Sequence, residues 1–337
     1  MKKLCLLLLA VLMILSMSAC GTPKEENTES GTAPTETTPE KIDINVAVLS
    51  GPTGMGAASL MDKAAQNETA NNYHFTVAAS PDEITASIIN GEFKIACVPT
   101  NLAAVLYKKT SGLIQTAAVN TLGVLYVLTN GAEVGAVSDL AGKTIYATNQ
   151  GSTPEYILNY VLEKNGLTPG EDVKIEFADA DTVSAGVASG DIEIAMLPEP
   201  KVTATLISGK DKVKVALDMT EEWEKIDHES TIMQGCIIVN KEFAAENKEA
   251  VDAFLSEYKE SAAFVNENIE TAAGYCETYS VLPKAAIAAK AYPNCNIVYQ
   301  DVSQMKEKLT AFLQILYDAD PASVGGAMPD DGFWYES

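Results

Sequence analysis

The 337-residue chain contains no arginine. Every cationic side chain is a lysine, so the planar guanidinium fork that grips carboxylate, sulfonate or phosphate in two places is missing. Histidine is scarce too: only His74 and His228 occur, far apart in sequence. There is no His-Glu-x-x-His helix and no Gly-x-Ser-x-Gly elbow, and abundant acids alone do not define a general acid–base pair. No catalytic set emerges, and neither a metal nor a cofactor is expected. No Cys-x-x-Cys occurs, which removes zinc ribbons and thioredoxin-like sites. Lysine is itself outnumbered, giving a formal charge of −23. That balance excludes nucleic-acid binding, which needs phosphates neutralised. Beyond the N-terminus no apolar run approaches the roughly 20 residues of a membrane-spanning helix.

What is present begins at the N-terminus. Lys2 and Lys3 precede the apolar run Leu4 to Ile14, which ends in Met17-Ser18-Ala19-Cys20. A charged start, a short apolar stretch and small residues before a cysteine read as a secretory signal over 1–19. The end of that stretch resembles a bacterial lipobox, which implies lipidation at Cys20; the plainer alternative is cleavage near Ala19 with Cys20 incidental. Residues 20–41 are Thr-, Pro- and Glu-rich and lack large apolar side chains. They cannot bury enough surface to fold and read as a tether, with a span of about 25 Å. The expected location is extracytoplasmic, anchored to a bacterial membrane by lipid. A self-repelling acidic body suits that setting.

From residue 42 onward, strands alternate with helices. Ile44 to Leu49, Tyr73 to Ala78 and Lys94 to Val98 read as strands, each followed by a helical segment. The pattern restarts after Leu140: Thr144 to Ala147, Val173 to Phe177 and Ile192 to Leu197 are strands, again followed by helices. Such alternation implies βαβ units and mainly parallel sheets. After the strand Gly235 to Val239 the chain is largely helical, with stripes such as Met305, Leu309, Phe312, Leu313 and Leu316 at helical spacing. The expected fold is α/β with two domains, two chain crossings and a cleft between them. Domain one takes 42–128 and 234–337, and domain two takes 129–233.

Within that frame, four segments resemble a known family. They are Asp139-Leu140-Ala141-Gly142-Lys143, Gly151-Ser152-Thr153-Pro154, Ser189-Gly190-Asp191-Ile192, and Leu197-Pro198-Glu199-Pro200. In this order they are similar to the nitrate/sulfonate/taurine-type solute-binding proteins, a group that includes binders of thiamine pyrimidine precursors. The resemblance implies a periplasmic-binding-protein type II fold and delivery of a small molecule to an ABC permease. The missing arginine sets the chain apart from direct sulfonate or taurine recognition.

Ligands of open α/β sheets sit beyond the carboxyl ends of the strands. Four loops satisfy that rule. Gly51, Thr53, Gly54, Met55 and Gly56 form a glycine-rich turn whose N–H groups could face an anion or carbonyl; otherwise it is a turn packed on its own domain. Thr100 and Asn101 either cap the following helix or bond a ligand. Gln150, Ser152 and Thr153 face the first loop from domain two, with the same two readings for Ser152 and Thr153. Glu199 accepts from an amine or aminopyrimidine, or else forms a salt bridge or meets solvent. Asn120 and Thr121 are placed on the cleft floor. Tyr156 offers an aromatic wall, or only packs. Tyr126 is equally readable as core, and Trp223 and His228 are placed near the mouth. If a disulfide forms, Cys276 and Cys295 are the pair; Cys97 and Cys236 read as buried thiols.

The function expected is an extracytoplasmic substrate-binding lipoprotein of an ABC importer. It acts as a monomer, closing on a small nitrogen- or sulfur-containing organic metabolite or oxyanion. Two alternatives remain open: a same-fold enzyme of the dehydratase or pyrimidine-synthase kind, and a ligand-sensing subunit of a membrane receptor.

Overall fold

The computed structural model describes residues 41–336. Residues 1–19, read as the signal, and Cys20 with nearly all of the tether lie outside them.

The chain opens with β1 (Asp43–Leu49), α1 (Pro52–Met55), α2 (Ala58–Ala65), β2 (Asn72–Ala78), α3 (Asp82–Ile89), β3 (Ile95–Pro99), α4 (Thr100–Lys109) and β4 (Ile114–Leu122). It continues through β5 (Leu125–Asn130), β6 (Thr144–Ala147), α5 (Thr153–Lys164), β7 (Lys174–Phe177), α6 (Ala180–Ser189), β8 (Ile194–Pro198), α7 (Lys201–Gly209), β9 (Val213–Asp218) and α8 (Met219–Ile226). The last stretch is β10 (Met233–Asn240), α9 (Lys241–Glu246), α10 (Lys248–Glu267), α11 (Ile269–Thr278), α12 (Ala285–Ala291), β11 (Ile297–Asp301) and α13 (Val302–Ala319).

Two sheets result. The first runs β11-β4-β10-β3-β1-β2 and the second β7-β6-β8-β5-β9. In each, neighbouring βαβ strands pair in parallel, and the strands entering from the crossings pair antiparallel. The chain therefore forms two α/β lobes. Its passage between them is earlier than the sequence suggested. The first domain was expected to run to 128, but Leu125 to Thr129 already pair with β8 of the second sheet, so the chain passes over at Gly123 and Val124. Apolar patterning could not show this: β4 and β5 are both buried on both faces, so neither marks the sheet it joins. The return lies just before Met233, where β10 enters between β3 and β4.

Alternation along the strands divides the interior. In β1, Ile44, Val46 and Val48 face one core with α2 and α10 to α12, while Ala47 and Leu49 face another. In β5, Tyr126 and Leu128 pack with Val183 and Val202, while Leu125 and Val127 join the same core as Ala47. One apolar cluster thus runs through both lobes, filled by Met305, Leu309 and Phe312 of α13 and by Trp223 of α8. The helical stripe of α13 packs on the first sheet and on Trp223 of α8, so it serves both lobes.

Candidate functional site

The loop after β1 of the first sheet and the loop after β8 of the second meet, with Gly51 beside Pro200. On the first lobe, the turn after β1 is held by its own backbone. Gly54 and Met55 N–H both donate to Gly51 O at 3.0 Å, and Gly51 N–H donates to Val281 O at 3.2 Å. The N–H groups of Gly51, Gly54, Met55 and Gly56 are thus engaged by backbone carbonyls, as in a turn packed on its own domain. A Cβ at Gly54 would lie 2.2 Å from Leu49 O, and one at Gly56 would lie 2.6 Å from the Tyr258 hydroxyl oxygen. Met55 is fully buried, and its carbonyl accepts from Tyr292 Oη at 3.1 Å. Thr53 keeps a half-exposed side chain over the floor.

The floor itself is polar and satisfied. Asn120 Nδ2 donates to Thr53 O at 3.1 Å and to Tyr258 Oη at 2.9 Å, while Thr121 Oγ1 donates to Asn120 Oδ1 at 3.2 Å. Both residues are buried. Gly235 keeps this floor open, since a Cβ there would lie 2.6 Å from both Asn120 Oδ1 and Thr53 Cγ2. Thr100 Oγ1 donates to Met233 O at 2.6 Å, and Asn101 Nδ2 donates to Ser323 O at 3.4 Å. These two side chains tie α4 to the return crossing and to the C-terminal segment. Neither forms a side-chain cap on α4.

On the second lobe, Ser152 takes the N-cap position of α5 without capping it; its Oγ donates to Asn149 O instead. Thr153 Oγ1 is shielded from solvent and has no hydrogen-bond partner. Gln150 is exposed at the same helix start. Tyr156 is buried, and its hydroxyl donates across the lobes to Asp320 Oδ2 at 3.1 Å. Burial, and then the Asp320 carboxylate, push the Tyr156 hydroxyl up to about 12.

Glu199 departs most from expectation. It is only 2% exposed, with neither a lysine partner nor solvent. Its Oε2 accepts from Thr203 N–H at 3.0 Å and its Oε1 from Thr203 Oγ1 at 2.9 Å, so it closes the first turn of α7. Oε1 also faces Asn294 Nδ2 of the first lobe at 3.4 Å. Burial raises this carboxyl above its ordinary value, and the Thr203 and Asn294 bonds oppose the shift. The neighbouring Pro200 lies against the first loop, with a Cβ built on Gly51 only 3.9 Å from Pro200 Cδ. Next in line, Lys201 is paired with Asp181 at 2.5 Å.

The structure thus joins Gly51 and Thr53, with the floor of Asn120 and Thr121, to Glu199 and Pro200. It places Tyr156 beside the C-terminal segment that Asn101 also touches. Trp223 is fully buried, which corrects its expected place at the mouth, and His228 is exposed. Tyr126 is a bridge rather than core alone: its hydroxyl donates to Asn294 O at 2.9 Å. Asn294 was missed because it sits in a short irregular turn with no motif around it. Cys276 and Cys295 are free buried thiols, which corrects the expected disulfide. Cys276 Sγ pairs with Tyr292 Oη at 3.0 Å and Cys295 Sγ contacts Met55 Sδ at 3.8 Å. Among the described residues no acidic, His or Cys cluster suits a metal, and no helix is long and apolar enough to cross a membrane.

Two α/β lobes joined by paired crossings, with strand-end loops converging between them, define the type II periplasmic-binding-protein fold. A family profile described as "ABC transporter, phosphonate, periplasmic substrate-binding protein" matches residues 63–275, and the chain belongs to that family. Its members are transporter binding proteins, not enzymes. No curated protein sequence matches. Among solved structures, an ABC transporter protein from Parabacteroides distasonis is similar at 23% identity and TM-score 0.73, over 87% of this chain and 98% of that one. The periplasmic aliphatic sulphonate binding protein SsuA from Escherichia coli aligns at 14% identity and TM-score 0.69, over 87% and 92%. The periplasmic nitrate-binding protein NrtA from Synechocystis PCC 6803 aligns at 15% and TM-score 0.52, over 76% and 69%. At these identities the likeness speaks for the fold.

Proposed function

We propose that the chain is the extracytoplasmic, lipid-anchored binding component of an ABC importer. It holds a small nitrogen- or sulfur-containing organic metabolite or oxyanion between its lobes and presents it to the permease. The anchor is Cys20, and residues 21–41 form the tether. In this reading the first lobe comprises 42–122 and 233–336 and the second 125–232, a division that the pairing of β5 with β8 supports.

The observation that carries this reading is the meeting of strand-end loops from both sheets, Gly51 against Pro200, above the polar floor of Asn120 and Thr121. Ligands of such sheets gather at that position. With no arginine, and with Lys201 engaged by Asp181, the polar contacts fall to neutral groups. The start of α5 supplies some: its cap is unfilled by any side chain, and Thr153 Oγ1 is unpartnered. The first turn of a helix favours electronegative ligand atoms.

A thermal-shift panel of phosphonates, sulfonates, nitrate and thiamine pyrimidine precursors tests the reading. A ligand at 100 times its Kd adds about 2.7 kcal/mol of stability, which is a clear rise in midpoint. Thr153→Ala should weaken the responding compound by about 0.5–1.5 kcal/mol, the net worth of one hydrogen bond. A compound that shifts the wild type and Thr153→Ala equally removes this helix start from the site.

A further inference from the structure

The two flanks of the cleft are built from different materials. On one flank the lobes share an apolar core. Trp223 of the second lobe packs edge-on to Phe312 of α13 with ring centroids 5.7 Å apart, and Tyr160 lies 4.5 Å from the same indole. Trp223 and Phe312 are fully buried. Separating this flank would expose aromatic surface to water, so it resists opening.

On the other flank α7 faces α12 across a groove of about 400 Å³, lined by Thr203, Leu206, Ile207, Lys210, Lys290 and Asn294. Two cross-lobe hydrogen bonds meet on one residue there. Asn294 O accepts from Tyr126 Oη at 2.9 Å, and Asn294 Nδ2 donates to Glu199 Oε1 at 3.4 Å. Asn294 itself is exposed while Tyr126 and Glu199 are buried, so opening this flank trades two hydrogen bonds for bonds to water and bares no aromatic core. A flank closed by hydrogen bonds, beside a seam closed by aromatic packing, has the form of a latch and a spine.

We infer that Asn294 is the positioning residue of cleft closure: it holds the α7 flank shut, and the cleft opens there while the α13 flank stays packed. This rests on the binding reading above and adds how that site is gated. The contact ties gating to the site directly, because Glu199 closes the first turn of α7 and is followed by Pro200, which meets Gly51.

Hydrogen–deuterium exchange on the full chain, with no ligand, tests it. Asn294→Asp places a second carboxylate against Glu199. Exchange in 199–209 and 285–297 should then quicken by about tenfold, while 219–226 and 302–319 keep wild-type rates. Adding Glu199→Gln should return the first two segments towards wild type. Tyr126→Phe removes the other bond without new charge, and should quicken the same flank by a smaller factor. Equal quickening on both flanks would mean general loosening and overturns the latch, as would no change in any variant. Because no ligand is used, failure here leaves the thermal-shift result standing, and an empty ligand panel leaves this result standing.

Discussion

Gly54 is glycine for room rather than for conformation. Its φ is not in the left-handed region, yet a methyl group there would lie 2.2 Å from the Leu49 carbonyl. Backbone cannot step aside as a flexible side chain does, so Gly54→Ala should cost about 1–3 kcal/mol, as overpacking does. Urea unfolding would measure it, and an unchanged midpoint would show that the turn relaxes. The sequence showed a glycine-rich loop at the right strand end. It could not show that the N–H groups of Gly54 and Met55 close on Gly51 O. Glu199 gives a similar lesson. Its position was legible from the Pro-Glu-Pro segment, but its partners come from Thr203 and from Asn294, 95 residues away. Its burial has a measurable sign. The folded pKa is raised above the ordinary 4.5, so between the two values the native state holds a proton that the unfolded chain has released. Stability from this group therefore falls as pH rises from about 4.5 through the raised value, then levels off. Against Glu199→Gln, the wild type should lose relative stability across that window. A difference that stays constant with pH would mean that Glu199 titrates normally.

At the level of elements, α13 is the helix whose sequence said most and least. Its stripe of Met305, Leu309, Phe312, Leu313 and Leu316 was readable from spacing alone, and all five are buried. What the spacing could not say is that the stripe meets both lobes, since an apolar face does not name its partner. Phe312→Ala removes a fully buried ring at the seam with Trp223 and should cost about 3–5 kcal/mol. Near-UV circular dichroism should also lose part of the tryptophan signal, because the loss of a neighbouring ring changes the indole environment. Retained stability would mean that α13 packs on the first lobe only. The strands carry the opposite lesson. β4 and β5 are separated by only Gly123 and Val124, and the switch of sheet between them leaves no trace in hydrophobicity. Gly123 marks it only in hindsight: a Cβ there would lie 2.2 Å from Thr220 Oγ1.

Across the whole molecule, two features pull against the picture of independent halves. The lobes share one apolar cluster, and the first lobe is discontinuous in sequence. Alternating strands and helices made the two-module plan legible, yet the joint core depends on contacts that no local pattern encodes. The position of β10 has a further consequence, one of timing. All pairings of the second sheet lie within Leu125 to Asp218, so that lobe can form as soon as its own stretch of chain is free. The first sheet cannot. Its centre is occupied by β10, whose Cys236 meets Val98 from 138 residues earlier, and β4 must still await β11. Closing such long loops is slow, because chain entropy is lost before contacts repay it. Refolding should therefore show a fast phase in which 125–218 gains amide protection, and a slower one in which β1, β3 and β4 follow together.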